Sequence, residues 1–242
     1  MHKLVLSLII LFAGFSTLSS QSLKDIQDNV SGLHEANDAA IKAMSPNRGL
    51  IEPRKLQAKQ GDLETIYYNI DKKSGLLRLT TGDVLSANLR YRVLDQLMEV
   101  EYGERTYAMD LSMVKAFSIV QDNFVLIGDP LKEKPGRLIY QVHYVDDNTL
   151  VLEHHSAEED YREPLHNVPS LSSQLFRRVN DLVLVVEGEA TRITSNKSAM
   201  EALRIRKKSR AGQYVKASRL KLKEGKDLAQ LISYLAKQDE SK

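Results

Sequence analysis

The chain has 242 residues, which is enough for one large domain or two small ones. It is 42% hydrophobic and 27% charged, a composition typical of a folded globular protein and not of a disordered one. With 34 basic and 32 acidic residues its net charge is +2, which excludes a nucleic-acid-binding charge spread over the whole chain. Cysteine is absent, so disulfides, zinc ribbons, CxxC redox chemistry and cysteine nucleophiles are excluded.

Residues 1–20 have the three-part pattern of a secretory signal peptide. A short positive start is followed by an apolar run from Leu4 to Phe15 and then by small residues. The apolar run is too short for a transmembrane helix, which needs about 20 apolar residues. The pattern predicts cleavage near Ser20 and Gln21, giving a periplasmic or secreted mature chain without a transmembrane segment.

Residues 21–49 predict an N-terminal helix or linker. Apolar residues recur at steps of three and four from Ile26 to Met44, which places them on one side of a helix. Pro46 and Gly49 end this pattern.

Residues 50–194 predict an antiparallel β-rich domain. Apolar and polar side chains alternate in several runs, for example from Leu89 to Val93, as they do in half-buried strands. Turn sequences such as Gly82-Asp83 and Gly103-Glu104 separate these runs. Because connections this short favour antiparallel neighbours, we expect a β-meander with a sandwich-like or barrel-like shape.

The alternation also assigns individual strands and turns within this domain. A strand is predicted at Ile66–Ile70 and a hairpin at 138–145 and 149–155. Turns are predicted at Lys73-Ser74-Gly75 and at Asp122-Asn123. Farther along come a loop at Ala157–Ser172, a second hairpin at 174–179 and 182–187 around Asn180-Asp181, and an edge strand at 189–194.

Residues 195–242 predict a basic C-terminal helical subdomain. Ser195 or Ser198 can cap a first helix, a second covers Gly212–Ala217, and a third runs over Glu224–Lys237 with its leucines at helical spacing. The order of helix, strands and helices favours an α+β fold over an alternating parallel sheet.

The histidines are the only plausible general bases for a hydrolase. His143, His154 and His166 are the candidates, and His155 is adjacent to one of them. Adjacent strand residues point to opposite faces, and no HExxH spacing occurs, so a solvated acidic hairpin is favoured over a metal site. No GxSxG, phosphate-binding or dinucleotide-binding motif is present, and no cofactor is predicted.

The C-terminal segment carries the strongest charge feature of the chain. From Leu203 to Lys242 it has twelve basic and four acidic residues. The candidate binding residues are Arg204, Arg206, Lys207, Lys208, Arg210, Lys216, Arg219, Lys221 and Lys223. They could bind an acidic protein or an anionic lipid headgroup or polymer. The alternative is a solvated helix face, paired with the acidic stretch from His143 to Glu163 of the same chain.

Several short segments resemble an uncharacterised family of exported proteins from Bacteroidota-type bacteria. Ser218–Lys223 and Asp227–Tyr234 resemble its lysine-rich C-terminal helix, Asn88–Val100 resembles a hairpin, and Val114–Phe117 resembles a strand. Arg92 stands where the family usually has Asn. The resemblance implies an envelope location and a β-rich body with a helical tail, and it implies no activity and no catalytic residues.

Together these patterns favour a non-enzymatic binding or accessory protein of the bacterial cell envelope. Its partner would be an envelope protein or an anionic polymer, bound at a β-sheet edge or at the basic helices. Nucleic acid is not expected, because aromatic residues that could stack on bases are scarce beside the basic residues. The alternatives are a hydrolase of envelope material with a histidine general base, and a module that binds anions or lipid headgroups through its C-terminal helices.

Overall fold

The computed structural model describes residues 20–34, 41–43, 50–51, 62–159 and 176–239. The helices are α1 (Ser20–His34), α2 (Leu63–Ile66), α3 (Asn196–Ala202), α4 (Arg210–Ala217) and α5 (Gly225–Asp239). The strands are β1 (Ile41–Ala43), β2 (Leu50–Ile51), β3 (Lys73–Leu79), β4 (Val84–Arg92), β5 (Leu97–Tyr102), β6 (Arg105–Met109), β7 (Val114–Ile119), β8 (Asp122–Gly128), β9 (Arg137–Val145), β10 (Thr149–Glu159), β11 (Phe176–Val186) and β12 (Glu189–Ile193). This confirms the α+β class with a β-rich body and C-terminal helices.

The strands of the described residues form one sheet. Its order is β12-β11-β10-β9-β8-β7-β3-β4-β5-β6-β2, and every pair along this path is antiparallel. Strand β1 lies off the path and pairs with β4 in parallel. The predicted meander is therefore two meanders, β3–β6 and β7–β12, which are joined where β3 pairs with β7.

The sheet is strongly curled. Tyr91 on β4 donates a hydrogen bond of 3.3 Å from its hydroxyl to the backbone oxygen of His155 on β10. These strands are five positions apart, which in a flat sheet would be about 24 Å. The curl encloses an aromatic core in which the rings of Phe117 and Phe124 stack with their centroids 4.6 Å apart.

A short segment after α2 extends the sheet beside the end of β4. The backbone N–H of Tyr68 donates to the oxygen of Tyr91 at 2.8 Å, and that of Val93 donates to the oxygen of Ile66 at 2.7 Å. Tyr67 forms an isolated antiparallel bridge with Arg92. The residues from Ile66 to Tyr68 thus form a narrow rim facing the opening of the curled sheet.

Arg178 of β11 connects the two sides of that opening. Its guanidinium donates hydrogen bonds of 2.8 Å to the backbone oxygens of Glu64 and Thr65, and a further one to the oxygen of Tyr67. The last carbonyls of a helix have no partner within the helix, so a guanidinium with several donors suits this position. One side chain therefore holds the end of α2 against β11.

Helices cover both faces of the sheet, α1 chiefly over β3, β7 and β8 and α5 over β9 and β10. On the convex face α1 buries Leu23, Ile26 and Leu33 against a cluster that includes Leu150 and Leu152. On the concave face α5 buries Leu228, Leu231 and Ile232 against a cluster that includes Val151, Leu182 and Leu184. Alternation along each strand sends successive apolar residues to opposite layers, so β10 and β11 are buried on two sides.

The predicted N-terminal helix has different bounds in the structure. Helix α1 ends at His34, and Ile41–Ala43 is strand β1, paired with Val84–Ser86. The helical spacing of apolar residues from Ile26 to Met44 therefore predicted too long a helix. Residues 41–43 pair with a strand that lies far away in sequence, and helical spacing carries no information about that pairing. The predicted signal peptide lies outside the described residues up to position 19, as does most of the predicted loop after Glu159.

Five other local predictions were wrong. Residues 66–70 hold the end of α2 and a bend instead of a strand, and the turn before β8 is at Val120-Gln121, two residues before the predicted one. The predicted turn at Lys73-Ser74-Gly75 lies in β3. A Cβ at Gly75 would lie 2.1 Å from the Ser118 oxygen of β7, so glycine permits the close approach of these two strands. Strand β11 runs unbroken through the predicted turn at Asn180-Asp181, and Ala157–Glu159 continue β10.

The predicted C-terminal helices were confirmed. Ser195 caps α3, its hydroxyl accepting the backbone N–H of Ser198. The observed α4 and α5 include nearly all of the two helices predicted there. The 138–155 hairpin is β9 and β10, and β12 lies at the edge of the sheet.

Replacing Arg178 with Leu should lower the free energy of unfolding by about 3 kcal/mol, because several backbone oxygens would lose charge-assisted hydrogen bonds. Arg177→Leu is the matched control. Its exposed ion pair with Glu158, at 3.0 Å, is expected to contribute less than about 1 kcal/mol. Urea unfolding of both variants measures the difference, and equal losses would contradict the role of Arg178.

Candidate functional site

The structure separates the histidines that sequence analysis grouped. His143 and His155 lie on the concave face and line the same cavity. His154 points to the convex face, where its Nδ1 is 2.9 Å from the Ile139 oxygen and its ring contacts Tyr140. His166 lies outside the described residues. Of the two proposed general bases that the structure describes, His143 lies in the cavity and His154 does not.

The cavity lies between the curled sheet and the start of α5 and has a volume of about 530 Å³. Its opening to solvent lies between two hydrophobic cores, the aromatic core enclosed by the curl and the core beneath the C-terminal helices. The sheet side of the cavity and its immediate surroundings form what we call the polar seam: Tyr68, Asp122, Gln141, His143, Glu153, His155 and Asn180. The opposite wall consists of Lys223, Glu224, Gly225 and Lys226.

His143 and Glu153 form the tightest pair of the polar seam. His143 Nε2 lies 2.7 Å from Glu153 Oε2, and both side chains are largely buried. The ring of His143 also contacts the first residue of α5, because a Cβ built on Gly225 would lie 2.1 Å from His143 Cδ2. Glycine at position 225 therefore allows α5 to begin directly over the imidazole.

His155 lies in a chain of hydrogen bonds. Its Nδ1 is 3.0 Å from Asn180 Oδ1, and its Nε2 is 2.8 Å from Gln141 Oε1. The Gln141 amide nitrogen donates to Asp122 at 2.9 Å, and the Tyr68 hydroxyl donates to the other oxygen of that carboxylate at 2.9 Å. The chain fixes the side-chain orientations. Both ring nitrogens of His155 face amide oxygens, and a neutral imidazole has a single N–H, so it donates to one of these oxygens at a time.

Burial and charge shift the pKa values in the polar seam. Burial lowers the pKa of His155, although the Glu153 carboxylate and Asn180 act in the opposite direction. Burial favours a higher pKa for Glu153, but the hydrogen bond from His143 and the nearby imidazoles outweigh it, so the pKa is held below its usual value. Burial and the Asp122 carboxylate raise the pKa of Tyr68. At neutral pH these shifts favour a neutral His155 beside an ionised Glu153.

A carboxylate that orients an imidazole is an arrangement suited to general-base catalysis. No group of three or more histidine, aspartate and glutamate side chains able to hold a metal ion occurs in the described part of the chain. No sequence pattern marked Tyr68, Gln141, Asn180 or Gly225 as site residues, and His155 was considered only for the disfavoured metal site. The alternation of β10 does place Glu153 and His155 on one face, but the bulge opposite Val151 and Leu152 obscures their register with His143.

The predicted basic residues form what we call the cationic surface. Its members are Arg204, Arg206, Lys207, Lys208, Arg210, Lys216, Arg219, Lys221 and Lys223, and all nine are exposed. Lys221 lies 3.2 Å from Glu224, and the other eight form no salt bridge with any described residue. The pairing with the acidic hairpin that was considered as an alternative is thus not observed up to Glu159.

Packing of α4 directs these cations outward. Ala211 and Val215 are buried, and the rings of Tyr214 and Tyr234 stack at 4.0 Å, joining α4 to α5. A Cβ at Gly212 would lie 2.5 Å from the Lys207 oxygen, so the basic loop packs its backbone closely against α4. The charged side chains of this loop therefore project into solvent.

Comparison with protein families, curated proteins and solved structures finds no match to this chain. The resemblance to an exported family therefore stays a prediction. Within the described ranges, no helix has the length and apolar character needed to cross a membrane.

Acidification should destabilise the fold from about pH 6.5 downward. Because burial lowers the pKa values of His154 and His155, the unfolded chain binds protons more readily than the folded one. Their contribution to stability is complete above the unfolded pKa and is lost as pH falls toward the folded pKa. The lowered pKa of Glu153 adds a further loss below about pH 4.3.

Urea unfolding between pH 7.5 and pH 5, with imidazole NMR titration, measures this effect. The free energy of unfolding should fall with pH in the unsubstituted protein, and His155→Gln should show a shallower fall. An unchanged free energy across this range, or a His155 resonance that titrates above about pH 6.5, would contradict the assigned direction.

Proposed function

We propose that the protein is an exported, non-enzymatic accessory protein of the bacterial cell envelope that binds an anionic envelope component through its cationic surface. The observation that carries this proposal is the set of eight exposed cations without a salt bridge to any described residue. Charges that served only to hold the fold would be expected to have acidic partners within it.

The distribution of charge supports polyanion binding. Residues 202–223 contain nine basic residues and no acidic one, although the whole chain has a net charge of only +2. A polyanion bound by several lysines and arginines releases counterions, which gives a favourable free energy that depends strongly on salt. The helices beneath are packed into the body, so the cations are presented on an ordered support.

A second candidate is a hydrolase of envelope material in which His143 is the general base. The 2.7 Å contact with Glu153 inside a cavity favours it. It ranks second because His154 lies on the convex face, away from the cavity, and both ring nitrogens of His155 already lie against amide oxygens.

Export is tested on the protein as its native cell produces it. Because the signal peptide would be removed, we expect mass spectrometry to find Ser20 or Gln21 at the N-terminus of material from the envelope fraction. Natively produced protein that still begins with Met1 would overturn the export proposal.

Polyanion binding is tested by retention on immobilised heparin, a sulfated polymer. The variant Arg206→Gln, Lys207→Gln, Lys208→Gln should elute at lower salt. Its slope of log affinity against log salt should fall by roughly one unit per removed cation.

The matched control is Lys24→Gln, Arg105→Gln, Arg177→Gln, which removes the same charge from exposed positions outside the cationic surface. The proposal requires that this control keep most of its retention. Equal loss in both variants would show that net charge, not the cationic surface, is responsible.

A further inference from the structure

Val120 combines two unfavourable features at the turn between β7 and β8. Its φ is +58°, in the left-handed region, and its side chain is 64% exposed. A β-branched residue is strained in this backbone conformation. An aliphatic side chain also gains nothing from exposure to water. Nothing in the fold requires valine here, and an outlier of this kind is a reason to look for a function.

Another two-residue turn of the same sheet has glycine at the position that corresponds to Val120. The turn between β5 and β6 also has two residues, and its first residue, Gly103, has φ of +60°. In both turns only the first central residue has a positive φ, a pattern in which glycine is usual. The β7–β8 turn could therefore be made from glycine without strain, yet it has an exposed aliphatic residue.

A second exposed aliphatic residue lies at the same end of the molecule. The backbone N–H of Val120 donates to the Ser74 oxygen at 3.2 Å, and the Tyr68 hydroxyl donates to Asp122 at 2.9 Å. The bend between Tyr68 and Ser74 is thus attached to the hairpin at both ends. It contains Ile70, which is 38% exposed. Val120 and Ile70 are two of the three exposed large hydrophobic residues in the described ranges.

Lysines surround this end, and its acidic groups have partners. Lys226 lies 3.8 Å from Asp122, and Lys223, the last member of the cationic surface, lines the same cavity as Tyr68. Of the nearby carboxylates, Asp71 pairs with Lys73 at 3.7 Å, Asp122 accepts from Tyr68, and Glu224 pairs with Lys221. The cationic surface therefore continues to an end that exposes aliphatic side chains.

We propose that Val120 and Ile70 insert into the headgroup region of an anionic lipid membrane while Lys223 and the cationic surface bind its phosphates. This inference rests on the proposed function and identifies the anionic component as a lipid surface. A projecting aliphatic turn beside lysines suits a membrane interface, where apolar area and charge both contribute to binding and long lysine side chains can reach the headgroups.

The test is cosedimentation of the full mature chain with vesicles of phosphatidylcholine containing phosphatidylglycerol, and with vesicles of phosphatidylcholine alone. The unsubstituted protein should bind the anionic vesicles and bind the neutral ones far less. The variant Val120→Gly, Ile70→Thr should bind the anionic vesicles roughly tenfold more weakly, because it removes apolar area that would enter the interface. Ile51→Thr is the matched control, since Ile51 is 54% exposed on β2, the terminal strand of the sheet beside β6.

Thermal unfolding of Val120→Gly alone provides the folding control. Since glycine relieves the strain, its melting temperature should equal or exceed that of the unsubstituted protein. Weakened vesicle binding by Val120→Gly alone, in a variant at least as stable as the unsubstituted protein, can then be attributed to the lost valine side chain.

Heparin retention separates this inference from the proposed function. If the variant Val120→Gly, Ile70→Thr keeps both its heparin retention and its vesicle binding, the membrane inference is overturned and polyanion binding stands. Heparin retention without any binding of anionic vesicles by the unsubstituted protein also overturns the membrane inference. If the unsubstituted protein is not retained on heparin, the proposed function is overturned, and the membrane inference that depends on it is overturned as well.

Discussion

The contact between Arg178 and the end of α2 is the constraint on which the rest of the structure depends. The sheet is a single long path, and strand pairing does not connect its ends within the described residues. Side-chain hydrogen bonds close the curl instead. Tyr91 donates to His155, and the guanidinium of Arg178 donates to three carbonyl oxygens in and just after a four-residue helix. Because α2 leads directly into the rim beside β4, this contact holds β11 opposite β4 and encloses the aromatic core between them.

The closed sheet also explains where the polar seam lies. The concave face has two hydrophobic cores, one enclosed by the curl and one beneath the C-terminal helices. Strand β10 passes from one to the other, and Glu153 and His155 occupy the interval between them. Buried polar groups need partners, and they find them in His143, Gln141 and Asn180 on the neighbouring strands. The seam therefore both joins the two cores and lines a solvent-accessible cavity beside α5.

Charge is organised differently in the body and in the C-terminal helices. In the body, buried cations have partners, as Arg92 does by contacting Asp95 at 2.7 Å and Glu99 at 3.2 Å. An unpaired charge there would carry a large desolvation cost. In the C-terminal helices the cations are exposed and mostly lack acidic partners among the described residues. This contrast within one chain is the reason to interpret the second group as a surface for a partner.

Local patterns in the sequence determined the α+β class, most hairpin turns, the C-terminal helices and the membership of the cationic surface, because period and capping act between residues close in the chain. Tertiary structure decided the features that depend on distant partners. Residues 41–43 became a strand through β4, and Asn180 stayed inside β11 because β10 pairs with its whole length. The polar seam arose from a bulge and a curl that bring β8, β9, β10 and α5 together. Their contacts span long sequence separations, and no local pattern encodes such distances.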